Sequence, residues 1–301
     1  MAESAVGGIR CFDHAVLPVM DVWRAERFYT EALDGAIFQK VGMNYRPPPA
    51  GEAATGLFID PPGAFVKVGR SHVGLFLQTQ VPVQPPADPV RGLPCLGLAV
   101  AEGAFAAVIE RVRAAGVAVG QEAIRTLGGV TWRGVHCLDS EGNCLDLVAT
   151  EGGGAGGPQV LGLSYLAAET RDLAATGTFY VDVLGLAVAA EGPDWLALAV
   201  PGGQHLMFHQ VATLSPAMAG PYFGRHFAFH VDDDTFHAIV GRLRAAGIPE
   251  GDALGRNVPG EYATYFYDPN GLWLQVLNQD SAQATRGRPL VRYTPVAVGA
   301  S

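Results

Sequence analysis

Apolar positions along the chain follow a strand-like pattern and a helix-like pattern in turn. FDHAVLPV, from Phe12 to Val19, is a nearly unbroken apolar run of the kind a buried strand shows. DVWRAERFYTEAL follows at once, with apolar residues three and four apart as on a helix and Asp21 placed as its N-cap. Much later, RHFAFHV is again strand-like, and DDDTFHAIVGRLRAAG is again helical. Asp232 to Asp234 cap that helix with favourable charge, and Gly247 closes it. Short apolar runs separated by Gly and Pro turns come after each helix. The pattern predicts strand, helix and several strands four times over, near residues 10–80, 92–150, 160–212 and 223–280. The fold class it implies is α+β.

Direct sequence repeats support the fourfold division. FYTEALDGAIF at Phe28 returns as FYVDVLGLAV at Phe179; RVRAAGVAVG at Arg111 returns as RLRAAGIPEG at Arg242; DSEGNCLDL at Asp139 returns as DPNGLWLQV at Asp268. The elements keep their order in both halves, the mark of duplication. Linkers fall between the units: VQPPADP from Val83 to Pro89, GGGAGGP from Gly152 to Pro158, and SPAMAGP from Ser215 to Pro221. The expected organisation is an N-terminal domain over 1–150, a Gly-rich linker over 151–158, a C-terminal domain over 159–280 and a tail over 281–301.

Composition narrows the partners. At 49% hydrophobic and 16% charged, the 301 residues suit a well-cored protein, and a net charge of −9 argues against nucleic acid or an anionic membrane surface. MAESAVGGIR lacks the basic-then-apolar pattern of a leader, and no apolar run approaches the roughly 18 residues that span a bilayer. The four cysteines form no CxxC pair. A cytoplasmic protein is the expectation, and a homo-oligomer is compatible with it.

Strand, FY-helix and a terminal Asp-Pro-x-Gly strand together make the chain resemble the vicinal oxygen chelate superfamily, which includes glyoxalase I, bleomycin-resistance proteins and type I extradiol dioxygenases. The likeness covers nearly the whole chain, except the first few residues and the tail after about Asp280. It implies four βαβββ modules forming two vicinal-oxygen-chelate domains, with candidate metal ligands on the first and last strand of each module. The first-strand slots hold His14, Cys95 (or Leu96), Tyr165 and His226. The last-strand slots fall near Gln78, at Asp146, near His209 and at Gln275.

Only His14, His226 and Gln275 make a plausible metal triad, so module one is expected to pair with module four. This split resembles the two-domain hydroquinone 1,2-dioxygenases, whose glutamate stands where Gln275 stands here. The inner pair, with Cys95, Asp146 and Tyr165 in its slots, is read as structural. The implied activity is that of a metal-dependent oxygenase, taking O₂ and a hydroquinone- or catechol-like ring through ring cleavage or epoxidation. Fe(II) is the first metal expected, with Mn(II), Co(II) or Ni(II) favoured by a neutral amide ligand.

Tyr265 matches the tyrosine of the extradiol Tyr-x-x-Asp-Pro-x-Gly strand pair and is assigned to hydrogen-bond the substrate. No histidine occurs in ALGRNVPGEYAT, where that signature calls for one, so His230 is the candidate for moving protons. Trp273 and Tyr267 are candidate walls for a flat ring. Asp13 and Arg225 flank the two histidines and could orient them, although strict alternation would point both away. Two alternatives stay open: a glyoxalase-like isomerase or lyase, and a non-catalytic small-molecule (antibiotic) binding protein.

Overall fold

A computed structural model describes residues 8–41, 63–77, 93–127, 130–151, 157–215, 226–252 and 263–278. Arg225, the slot near Gln78, the Val83–Pro89 linker and the tail over 281–301 lie outside the described residues.

Each of the four segments folds as predicted into a strand, a helix and a run of strands. The first comprises β1 (Cys11–Val19), α1 (Val22–Arg27), β2 (Ala36–Val41), β3 (Gly63–Val68) and β4 (Ser71–Leu77). The second comprises β5 (Cys95–Ala101), α2 (Phe105–Ala114), β6 (Ala123–Leu127), β7 (Val130–Leu138) and β8 (Cys144–Thr150). The third comprises β9 (Val160–Thr170), α3 (Leu173–Thr178), β10 (Ala187–Glu191), β11 (Trp195–Val200) and β12 (Gln204–Gln210). The fourth comprises β13 (His226–His230), α4 (Asp233–Ala245), β14 (Gly251–Asp252), β15 (Ala263–Tyr267) and β16 (Trp273–Leu277). Side-chain caps start three of the helices: Asp21 accepts from the Arg24 amide, Asp172 from Ala175 and Asp232 from Thr235.

The strands form two eight-stranded sheets. One runs β14-β15-β16-β13-β1-β4-β3-β2 and the other β10-β11-β12-β9-β5-β8-β7-β6. Module one therefore joins module four through the antiparallel β1–β13 pair, and module two joins module three through β5–β9. This is the cross-half pairing the resemblance implied, in a two-domain α+β fold.

The repeated sequence stretches meet in space, which explains their recurrence. After α1 the backbone widens into a π-helical turn at Phe28–Ala32, and the same happens after α3 at Phe179–Val183. Both residues of each FY pair are buried there. Tyr29 donates its hydroxyl to Asp139 of the β7–β8 turn, and Tyr180 donates to Asp268 of the β15–β16 turn, each at 3.1 Å. The arginine two residues before each RAAG completes the triangle: Arg111 Nε donates to the Ala32 carbonyl and Arg242 Nε to that of Val183. Helix and turn of neighbouring modules are thus tied together while their sheets pair elsewhere.

Asp139 also accepts from the amides of Glu141 and Asn143 and from Asn143 Nδ2. Burial nevertheless dominates and raises its pKa to about 6, against the usual 3.8. The folded state therefore binds more protons than the unfolded one between those values. The stabilisation is fully present below about pH 4 and is lost as pH rises through about 6. Asp139→Asn should remove this dependence. Urea titrations should then show the variant losing up to about 3 kcal/mol less than wild type across that window. An unchanged pH profile in the variant would count against the burial argument.

Candidate metal centre

The first sheet has a core face and a site face. Phe12, Ala15, Leu17, Phe227, Phe229, Phe266, Leu274 and Val276 point to the helices and belong to the main hydrophobic core. The alternate residues line the other face, where register lays out a row: Tyr265 beside Gln275, Gln275 beside Ala228, Ala228 beside His14, and His14 beside His72. His226 precedes Ala228 by two residues and so shares the face.

An approximate twofold axis passes between Ala15 and Phe227. His14 pairs with Ala228 on one side of it and Val16 with His226 on the other, so the two histidines are equivalent positions of their modules. Their Nε2 atoms lie 3.0 Å apart, and both side chains are buried, at 5% and 7% exposure.

A bulge in β1 settles how His14 is held. Register shifts between Phe12 and His14, making Asp13 an extra residue of the strand. The displaced Phe12 amide donates to Gln204 Oε1 of β12, and Gln204 Nε2 donates to the Leu163 carbonyl, so the second sheet braces the bulge. Asp13 Oδ1 then sits 2.5 Å from His14 Nδ1, both groups being buried. Strict alternation would have sent this carboxylate to the far face, and the bulge corrects that expectation. A neutral His14 that directs its Nδ1 hydrogen at Asp13 would present the Nε2 lone pair to a metal.

Gln275 is only 6% exposed, and its Oε1 is buried with no hydrogen-bond partner among the described residues. Such an orphan costs about 1–3 kcal/mol unless something fills it. A divalent metal fits the set. Two metal–nitrogen bonds of about 2.0–2.1 Å at roughly a right angle put the nitrogens about 3 Å apart, as they are here. Between Gln275 and His14 stands Ala228, whose methyl is the smallest side chain in the row.

The twofold relation also locates the fourth slot. Gln275 pairs with Ala228 in module four, and in module one the matching partner of Val16 is Gly74. A Cβ at Gly74 would lie 2.7 Å from Val16 Cγ2 and 2.9 Å from Phe65 Cε1, so the space is already filled by apolar groups. That position therefore offers no side-chain donor.

Aromatic rings surround the pair. Tyr265 and Trp273 each stand edge-on to His226 at 5.3 Å, and Phe65 stands edge-on to His14 at 5.2 Å. Trp273 lies 4.8 Å from Tyr265, and Tyr267, 60% exposed, stacks on its outer side at 6.5 Å. His230 shares the face but not the centre. Four residues beyond His226, it lies about 13 Å along β13. The imidazole that the row does place next to His14 is the buried His72, packed on Phe38 at 4.5 Å. His72 lies two residues before the last-strand slot of module one, and only the direct register of β4 with β1 brings it beside His14.

The sequence profile of the Glyoxalase/Bleomycin resistance protein/Dioxygenase superfamily matches residues 12–147 and 162–276. A protein described as a "putative dioxygenase" from Bacillus subtilis superposes with a TM-score of 0.66 at 15% identity, over 90% of this chain and 86% of that one. Glyoxalase I from Zea mays superposes with a TM-score of 0.60 at 16% identity, over 91% of this chain and 94% of that one. Identities this low speak for the shared fold. No match is found among curated proteins.

Proposed function

Because the chain belongs to the glyoxalase/bleomycin resistance protein/dioxygenase superfamily, we propose that it is a metal-dependent oxygenase acting on a hydroquinone- or catechol-like ring. The observation that carries this reading is the buried donor set: two imidazole Nε2 atoms 3.0 Å apart and an orphaned amide oxygen on the neighbouring strand.

His14, His226 and Gln275 would hold the metal, with Asp13 fixing the His14 tautomer. The bound metal supplies a path for electrons from a chelated aromatic diol to O₂. With three neutral donors, these residues would leave the dipositive charge of a bound metal uncompensated, which would favour the diol as an anion. The same neutrality favours the divalent state, which keeps Mn(II), Co(II) and Ni(II) beside Fe(II) as occupants. Tyr265, packed edge-on to His226, would donate a hydrogen bond to a substrate oxygen. Trp273 and Tyr267 offer flat faces to its ring, a geometry aromatic groups favour. His72, next to His14, replaces the distant His230 as the group suited to hold a proton.

Gly74 argues for oxygen chemistry over a glyoxalase-like reaction. An isomerase would want a carboxylate base at the fourth slot, and the register puts a glycine there.

Oxygen uptake tests the reading. Metal-free protein reconstituted in turn with Fe(II), Mn(II), Co(II) and Ni(II) would be offered a panel of hydroquinones and catechols. Uptake above the substrate's own autoxidation with at least one metal is expected, and product mass then separates cleavage from epoxidation. Uptake at background with every metal across the panel would overturn it.

A further inference from the structure

The second sheet carries a groove that the candidate metal centre does not use. It encloses about 680 Å³ between α3 and the β10–β11 hairpin, a size usual for small-molecule sites. Ala174, Gly177 and Val181 on the helix side, with Val188 of β10 and Leu196 of β11, supply an apolar floor. Asp172, Asp182 and Glu191 also line it, and all three are exposed. Asp172 spends one carboxylate oxygen on the Ala175 amide as a helix cap. Among the described residues no lysine or arginine lines the groove, and none of the three acids forms an ion pair.

The duplication shows how the groove arises. With Phe28 aligned on Phe179, Asp21 falls on Asp172, and both cap their helices. Trp23 and Glu26 of module one then stand where module three has Ala174 and Gly177. A Cβ at Gly177 would already touch Leu196 Cδ2 at 3.4 Å, so a longer side chain there would occupy the space. Charge differs as well: Arg27 of module one is matched by Thr178 and Lys40 by Glu191, whereas Glu31 keeps its acid as Asp182. One surface of module three thus lacks both the bulk and the cations of its counterpart.

We propose that this groove binds a small organic cation, an ammonium or guanidinium group on an apolar body. The apolar floor takes the body, and the three carboxylates take the charge. One exposed carboxylate contributes little by itself. Three of one sign around an apolar floor act together, and the net charge of −9 adds a long-range pull on cations. The same field turns away an anion. A bare metal ion would gain nothing from the floor, so the body of the ligand matters as much as its charge.

Benzyltrimethylammonium is the probe, and toluenesulfonate, an anion of similar size, is its control. Isothermal titration calorimetry on the full-length protein should show the cation binding with a Kd below about 1 mM and the sulfonate not binding. Ala174→Trp, which restores the module-one side chain, should abolish binding. Glu191→Lys, which restores the module-one charge, should weaken it about fivefold or more. Both positions are exposed, so both variants should unfold at the wild-type temperature. A cation that binds no better than the sulfonate would overturn the assignment, and that wild-type comparison decides even if a variant fails to fold. Binding left unchanged by either substitution would overturn it too. So would a dimer that Ala174→Trp dissociates, since a second copy of the chain would then be what covers the groove. Oxygen chemistry at the metal centre can fail without affecting any of these readings.

Discussion

His226→Ala should bind its metal two to three orders of magnitude more weakly than wild type and lose all enzyme-dependent oxygen uptake. The size follows from apportioning known site energies. Four-ligand zinc sites gain about 10–16 kcal/mol, or roughly 3–4 per ligand, which is a few hundredfold in affinity. The loss should sit at the upper end here, because the remaining donors would be one imidazole and one amide, and amides are weak ligands. Asp13→Asn makes an informative contrast. It leaves every donor in place but weakens the grip on His14 Nδ1, so a fall of about 10–100-fold is expected, as for other orienting partners. Competition against a chromophoric chelator measures both. If His226→Ala held the metal as tightly as wild type, the 3.0 Å approach of the two imidazoles would be an ordinary buried N–H···N hydrogen bond, and the centre would have to be sought elsewhere.

The parts of this arrangement that the sequence discloses are those written in local pattern. FY, RAAG and the Asp-x-x-Gly turn repeat because each pair of modules needs the same triangle of contacts, as Tyr29–Asp139 and Arg111–Ala32 make it in the first half. Alternation along β1 and β13 puts His14 and His226 on buried strands of modules that the resemblance already paired. What stayed hidden depends on one-residue register or on strands brought together only by folding. The bulge at Asp13 is invisible in FDHAVLPV, since an inserted residue leaves the apolar count unchanged while turning the carboxylate round to His14. His72 and Gly74 acquire meaning only from the parallel pairing of β4 with β1, whose offset no local signal sets.

Gln275→Glu should bring together lower stability without metal and tighter binding with it. In the metal-free variant a carboxylate replaces an amide whose Oε1 already has no partner among the described residues and whose side chain is nearly inaccessible. Burying an unpaired charge costs several kcal/mol, so the new carboxyl takes up a proton near neutral pH, and thermal unfolding should occur several degrees lower than in wild type. A divalent cation reverses the balance. The negative charge becomes the best ligand of the three, and affinity should rise by about tenfold or more over the neutral set. Ligand binding to the folded state raises the unfolding temperature as affinity rises, so the metal-induced shift should be larger in the variant than in wild type. A merely destabilising substitution gives the first effect without the second. Should the variant lose stability yet bind Fe(II) and Mn(II) no better than wild type, Gln275 would be a buried amide facing away from the metal, and the donor set would shrink to the two histidines. Should both effects appear, the amide is a ligand in place, and its neutrality is what sets the preference among divalent metals.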